Sequence, residues 1–295
     1  MCVAELHNPS GALSRRGFVK LGAVTAAAAA LTSQLGSRAA EAKAEGAPLF
    51  RVSIEHVVDL THVLGPETPL LYPLLPKLGL VSLASFEKNG LYANQIIVSE
   101  HHGTHFDAPI HFAPGGLTTA EIPARTLVAP AVVIAIRDKA ARDADAELTM
   151  DDVRAWEAQF GRIPEGAAVL LNSGWDSRFN DEVACRNVGP DGLGHYPGFS
   201  PEVAAFLRDE RSIVGIGTDT MNVDRGVNTT FDVHKTLMAV NRWMLEGVAN
   251  LGEIPPAGAH LFVGAPKHPD RSRWTTSICC PGTPRSARPC SITTS

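Results

Sequence analysis

Four of the chain's eleven histidines fall between positions 101 and 111, in the run His101-His102-Gly103-Thr104-His105-Phe106-Asp107-Ala108-Pro109-Ile110-His111. Side chains this polar and this close together constrain the backbone: it leaves them in water, or it folds so that they face a common cation. Neutral imidazoles with a carboxylate are the ligand set that suits zinc, manganese or iron(II). If Ile96–Glu100 is a strand running into a turn broken at Gly103, then His101, His105 and Asp107 converge from the strand end and the loop onto one point. Pro109 stiffens the approach to His111, which lies four residues past Asp107 and is better placed to carry a proton than to bind a metal. His102 points to the opposite side of the strand and reads as structural. The bland alternative is a solvated His-rich turn, and the interposed Gly, Asp and Pro argue against it.

The rest of the chain supplies a body to hold such a site. Its opening resembles a leader: Ser14-Arg15-Arg16-Gly17-Phe18-Val19-Lys20 precedes an Ala-rich apolar run from Leu21 to Leu31, and small residues follow at Ala40-Glu41-Ala42. The adjacent arginines resemble the twin-arginine export signal, which an export machinery reads as an address, so residues 1–42 are set apart from the fold, with cleavage after Ala42 or Ala44. The expected location is periplasmic or otherwise exported, with no stable membrane anchor. Residues 43–267 hold 18 basic and 28 acidic side chains, and so acidic a body excludes sequence-independent nucleic-acid binding. Only Cys185 of the five cysteines lies in it, which rules out a disulfide framework there.

Strand signals rich in Val and Ile fall at Arg51–Leu60, Asn94–Ser99, Ala131–Ile136, Ala168–Asn172, Ile213–Gly217 and His260–Val263. Thr149-Met150-Asp151-Asp152 has capping-box spacing ahead of Val153, Trp156 and Phe160; Ser200-Pro201-Glu202 opens a second helix, and a third is expected over Asp232–Val240. Periodicity alone gives an α/β mixture in one domain. Residues 268–295 contain no Leu or Val and are dense in Ser, Thr, Pro and Arg. That composition predicts a tail without a packed strand, the product of a possible frameshift near His268–Asp270. Cys279, Cys280 and Cys290 lack the spacing of a thiolate metal site.

His101-x-Gly103-Thr104-His105-x-Asp107-Ala108-Pro109-x-His111-Phe112 resembles the signature of the cyclase family of metal-dependent hydrolases, which includes bacterial kynurenine formamidase and isatin hydrolase. The likeness covers residues 52–267. It includes Asp59-Leu60-Thr61-His62, Tyr72-Pro73, Leu170–Trp175, Gly217-Thr218-Asp219 with Asp224, His234, and Glu246-Gly247-Val248-Ala249-Asn250-Leu251, with Gly247 where many relatives have Asn. The resemblance implies a swivelling β/β/α fold, a mixed sheet curled toward a barrel with peripheral helices. It implies that His101, His105 and Asp107 hold one divalent metal, zinc or manganese, that Asp107 bridges to a second held by His234 and Glu246, and that His111 is the acid/base. It further implies a homo-oligomer, dimer or tetramer. Without kinship, His234 and Glu246 would read as a helix histidine and a surface acid.

On this reading metal-activated water cleaves an amide C–N bond in a small molecule, either an aryl formamide such as N-formylkynurenine or a cyclic amide such as isatin. A non-catalytic metal-binding protein and a lyase or cyclase with the same ligands are the alternatives, and His111 speaks against the first. Trp175 reads as core or pocket wall, and Asp219 and Asp224 as supports of a ligand imidazole or as turn caps.

Overall fold

The Val- and Ile-rich runs become strands close to where their spacing puts them. In the computed structural model, which describes residues 56–70, 76–268 and 276–280, the strands are β1 (Val58–Asp59), β2 (Gly79–Ala84), β3 (Ala93–Ile97), β4 (His105–Asp107), β5 (Val128–Ala135), β6 (Glu147–Leu148), β7 (Ala168–Asn172), β8 (Gly198–Phe199), β9 (Gly215–Thr218), β10 (Trp243–Glu246), β11 (Ala259–Gly264) and β12 (Thr276–Cys280). Eight of them form one sheet in the order β1-β12-β11-β5-β7-β9-β10-β4. β5, β7, β9 and β10 are parallel, β4 adds antiparallel to β10 at one end, and β11, β12 and β1 continue antiparallel at the other. The result is a mixed sheet curled toward a barrel, with helices outside.

Six α-helices among the described residues accompany it: α1 (Phe86–Asn89), α2 (Arg137–Arg142), α3 (Met150–Phe160), α4 (Glu182–Arg186), α5 (Pro201–Glu210) and α6 (Asp232–Met238). α3 starts where the capping box predicts, with Thr149 and Asp152 bonded reciprocally, and Ser200 caps α5 through Val203 N–H. Both faces of the sheet are buried, so the parallel strands read as unbroken apolar runs. Consecutive residues of β7 face opposite cores: Leu171 packs with Val153, Leu207 and Leu237 under the helices, and Leu170 with Phe106, Leu245 and Leu261 on the other side.

Two expectations are corrected. The strand expected to lead into the histidine cluster stops at Ile97 and pairs with β2 in a separate ribbon, while His105–Asp107 is itself a strand. Three residues of His, Phe and Asp carry no strand pattern, yet pairing with β10 satisfies their backbone. The tail also contains a strand. Thr276–Cys280 lies between β1 and β11, bonded to both. Backbone pairing along β11, together with Thr, Ile and Cys residues that suit a strand, outweighs the missing Leu and Val. The leader, Tyr72-Pro73 and Cys290 lie outside the described residues. No helix among the described residues is long and apolar enough to cross a membrane.

Candidate metal centre

The centre is assembled from β4, β10, α6 and the loop before β4. Strand alternation puts His105 and Asp107 on one face of β4 and Phe106 in the core behind it. The antiparallel register sets Glu246 directly across from His105. Gly103, at φ +64°, turns the chain between His101 and His105, and a Cβ there would collide with Leu64. Gly247 follows Glu246 at φ +61°, a left-handed conformation that favours glycine. A Cβ at Gly247 would come within 2.9 Å of the Gly103 carbonyl oxygen, so glycine lets the end of β10 approach the ligand loop.

His105, Asp107, His234 and Glu246 are each at most 2 % exposed. Nε2 of His105 lies 3.3 Å from Asp107 Oδ1 and 3.1 Å from Glu246 Oε2, and Nε2 of His234 lies 3.6 Å from Asp107 Oδ2 and 3.3 Å from Glu246 Oε1. The opposite ring nitrogens fix the tautomers. His105 Nδ1 is 3.0 Å from the Gly103 carbonyl oxygen, which can only accept, and His234 Nδ1 is 2.6 Å from Asp224 Oδ2. Each Nδ1 therefore holds a proton, and in the neutral ring Nε2 turns a lone pair toward two carboxylates. Lone pairs converging in a buried place require a cation, and the donor set fits a divalent metal.

The acid–base balance reports the same field. Burial alone would lower the His105 pKa, but Asp107 and Glu246 overrule it and, without a metal, raise it to about 10. His234 is likewise raised well above its ordinary value against burial, by Asp107, Asp224 and Glu246. Burial would raise the Asp107 and Glu246 carboxyls, yet the imidazoles beside them hold both below the usual carboxylate range. A proton substitutes for the cation in this arrangement.

All six expected residues come together, in two groups whose ligand atoms lie within 4.8 Å of one another: His101, His105, Asp107 and Glu246 in one, Asp107, His111 and His234 in the other. Asp107 belongs to both, as a bridging carboxylate would. The grouping differs from the expected pairing in placing Glu246 with the first set and His111 beside the second. His111 ends a 3₁₀ turn, Pro109–His111, with its ring 4.7 Å from that of His101 and 5.9 Å from that of His234, centroid to centroid. Burial lowers its pKa against the pull of Asp107, which keeps the ring neutral near pH 7.

The two aspartates left open by the sequence separate. Asp224 holds the His234 imidazole, because its carboxylate accepts His234 Nδ1–H and also the backbone N–H groups of Val233 and His234, fixing the first turn of α6. Asp219 organises a turn: it accepts from the Ser173 hydroxyl and from the N–H groups of Ser173, Gly174 and Trp175, and burial pushes its carboxyl up to about 6. Trp175 is core, its indole N–H bonded to the Cys185 carbonyl. Phe112 closes the signature without an assigned role, and Phe231 gives no sequence signal. Phe112 and Phe231 put their rings 4.6 and 5.9 Å from that of His234, and Phe231 does so at φ +54°, a strained conformation for a bulky side chain.

Residues 58–225 match the model of the Cyclase family. The chain belongs to the cyclase family. It is 35% identical over 238 residues to the isatin hydrolase of Roseibium aggregatum, covering 75% of this chain and 89% of that one. It is 26% identical over 181 residues to the kynurenine formamidase of Sphingopyxis alaskensis, covering 58% and 75%. A crystal structure of an isatin hydrolase bound to the product analogue thioisatinate superposes with a TM-score of 0.72 at 28% identity, covering 90% of this chain and 98% of that one. The relatives support a hydrolase with metal-dependent amide chemistry.

Proposed function

We propose that this cyclase-family chain hydrolyses the C–N bond of a small cyclic or aryl amide, an isatin-like lactam or an N-formylkynurenine-like formamide, with zinc or manganese, one or two ions per chain. The observation that carries this reading is the convergence of the His105 and His234 Nε2 lone pairs on two buried carboxylates. The two named relatives, an isatin hydrolase and a kynurenine formamidase, support lactam and formamide alike as candidates. Bound in this donor set, the metal supplies a Lewis acid that polarises a carbonyl and lowers the pKa of water.

The protein's own groups do the rest. His101, His105, Asp107, His234 and Glu246 would hold the metal. Asp224 and the Gly103 carbonyl keep the two imidazoles in the tautomer that presents Nε2. His111, neutral and close to both groups, takes a proton from the attacking water at its unprotonated ring nitrogen and passes it to the departing amide nitrogen. Water thus adds to the carbonyl carbon as the C–N bond breaks; a lactam opens to one amino acid product, and a formamide yields formate and an amine. Phe112 and Phe231 offer flat apolar rings beside His234 for an aryl group.

The test is a panel of isatin, aryl formamides and lactones, assayed with the metal-loaded and the chelator-treated enzyme. Metal-dependent opening of an amide is the expected result. Metal binding with no turnover of any of these would favour the non-catalytic alternative, and a product without added water would favour the lyase or cyclase. The leader extends the proposal to export: replacing Arg15 and Arg16 by lysine should leave unprocessed protein in the cytoplasm, and normal export of that variant would overturn it.

A further inference from the structure

Away from the metal centre, a second concave place gathers charged and polar groups that the fold does not pair off. An open cavity of about 550 Å³ lies among His62, Arg137, Asp176, Asn180, Asn250 and Glu253, within the size range of small-molecule sites. None of the residues that converge on the metal centre lines it. Arg137 follows β5, Asp176 follows β7 and Glu253 follows β10, and these strands are parallel. The cavity therefore collects loops from the carboxyl ends of strands, where open α/β sheets hold their ligands.

The lining is positioned from behind. The Arg137 guanidinium lies across two glycines: a Cβ at Gly174 would come within 3.3 Å of its Cζ, and one at Gly252 within 3.2 Å of its Nη1. It makes no hydrogen bond or ion pair with any described residue. The turn that Asp219 organises carries Asp176, whose Oδ2 accepts the Asn250 N–H at 3.1 Å and whose Oδ1 stays open. Asn250 gives its side-chain nitrogen to the Asp59 carbonyl at 2.8 Å, which leaves its side-chain oxygen to accept. His62 is stacked on Phe179 at 3.6 Å and tied by its backbone N–H to Thr104 Oγ1, while its Nε2 is buried without a partner.

A fork of donors and two carboxylates around one cavity suit a ligand that carries both charges. A plain anion would meet Asp176 and Glu253, and a plain amine would meet Arg137. We propose that the cavity binds a free α-amino acid with a polar side chain, its carboxylate on Arg137, its ammonium on Asp176 and Glu253, and its side chain among Asn180, Asn250 and His62. This site is separate from the one proposed to hydrolyse an amide and does not rest on it.

Isothermal calorimetry on the metal-loaded protein, with L-glutamine as the probe, tests the proposal. Glutamine should bind. Glutaramate, which lacks the ammonium, and γ-aminobutyramide, which lacks the carboxylate, should each bind about 10–100-fold more weakly, the usual worth of a hydrogen bond to a charged group. Arg137→Gln should weaken glutamine by a similar factor with metal content and circular dichroism unchanged, because Arg137 is exposed and bonds to no described residue. Should that variant misfold, hydrogen exchange on the wild type gives a second reading: saturating glutamine should slow the amides of residues 174–177 and 250–253. Absence of glutamine binding overturns the proposal, as does equal binding of either analogue or exchange that ignores glutamine. An affinity that survives Arg137→Gln overturns it too and puts the amino acid elsewhere, the metal centre included. Metal content and amide turnover are read separately, so a failure here leaves the functional proposal standing.

Discussion

An imidazole set between two carboxylates occurs in a buried and in a surface region of this molecule, and the two regions behave differently. His105 faces Asp107 and Glu246 where all three are at most 1 % exposed. His195 faces Asp145 at 2.7 Å and Asp191 at 3.2 Å, with its side chain 26 % exposed and the aspartates 30 and 48 %. The direction of the nitrogens matters as much as the burial. His195 uses Nδ1 for one carboxylate and Nε2 for the other, so its partners lie on opposite sides of the ring and it acts as a clasp between segments fifty residues apart. His105 gives Nδ1 to a backbone carbonyl and turns Nε2 alone toward both carboxylates. Convergence in a dry place makes a cation site; divergence in a wet one makes a tie.

The largest effect expected from this contrast is at Asp107, the carboxylate shared by both ligand groups. Asp107→Ala should remove bound metal and with it all metal-dependent turnover, and His101→Ala or His105→Ala should empty the first group. Elemental analysis of the purified variants measures this, and wild-type stoichiometry in any of them breaks the assignment. The raised pKa values of His105 and His234 add a sign. Metal must displace protons there, so binding at pH 7 should release protons into a weakly buffered solution and weaken as the pH falls.

His111→Ala comes next, with a loss of roughly 10²–10⁴-fold in turnover and the first group's metal retained. Loss of metal in step with activity would make His111 a ligand, as its place beside Asp107 and His234 allows. Asp224→Asn should cost about 10–100-fold in metal affinity or activity, the usual effect of releasing a ligand histidine from its orienting carboxylate. An unchanged variant would show that His234 needs no such support.

What the sequence reveals of this centre depends on distance along the chain. His101, His105, Asp107 and His111 are close neighbours, so their spacing alone suggests a site. Glu246 reaches them only because β10 pairs with β4, and His234 only because Asp224 grips the start of α6. Neither link leaves a local pattern, and family resemblance alone pointed to these two residues. The fold divides in the same way. β7 falls on its expected residues and α3 starts at its capping box, whereas β4, β10 and β12 are short strands whose pairing rests on neighbours far away in sequence.

The smallest effect is expected at the surface cluster, and there the sign reverses. Hydrogen bonds donated by its ring to Asp145 and then to Asp191 raise the His195 pKa above its ordinary value of 6.5. A histidine raised on folding stabilises the folded state fully below the unfolded pKa and loses that contribution as pH rises through the folded one. The clasp is therefore tightest in acid and slackens in base, while the buried centre should bind a metal better as protons leave. The segment it ties, Asn187–Tyr196, is held by its own backbone bonds, among them His195 N–H to the Asn187 carbonyl and Gly189 N–H to the Leu193 carbonyl, so it should loosen without unfolding. Hydrogen exchange in this segment, corrected for intrinsic rate, should quicken as pH rises past the ordinary histidine range. Salt should weaken the dependence, because exposed pairs are screened. His195→Gln should abolish it with metal content intact. Should that variant lose metal, the surface cluster would be coupled to the centre, and the division between a wet tie and a dry site would not hold.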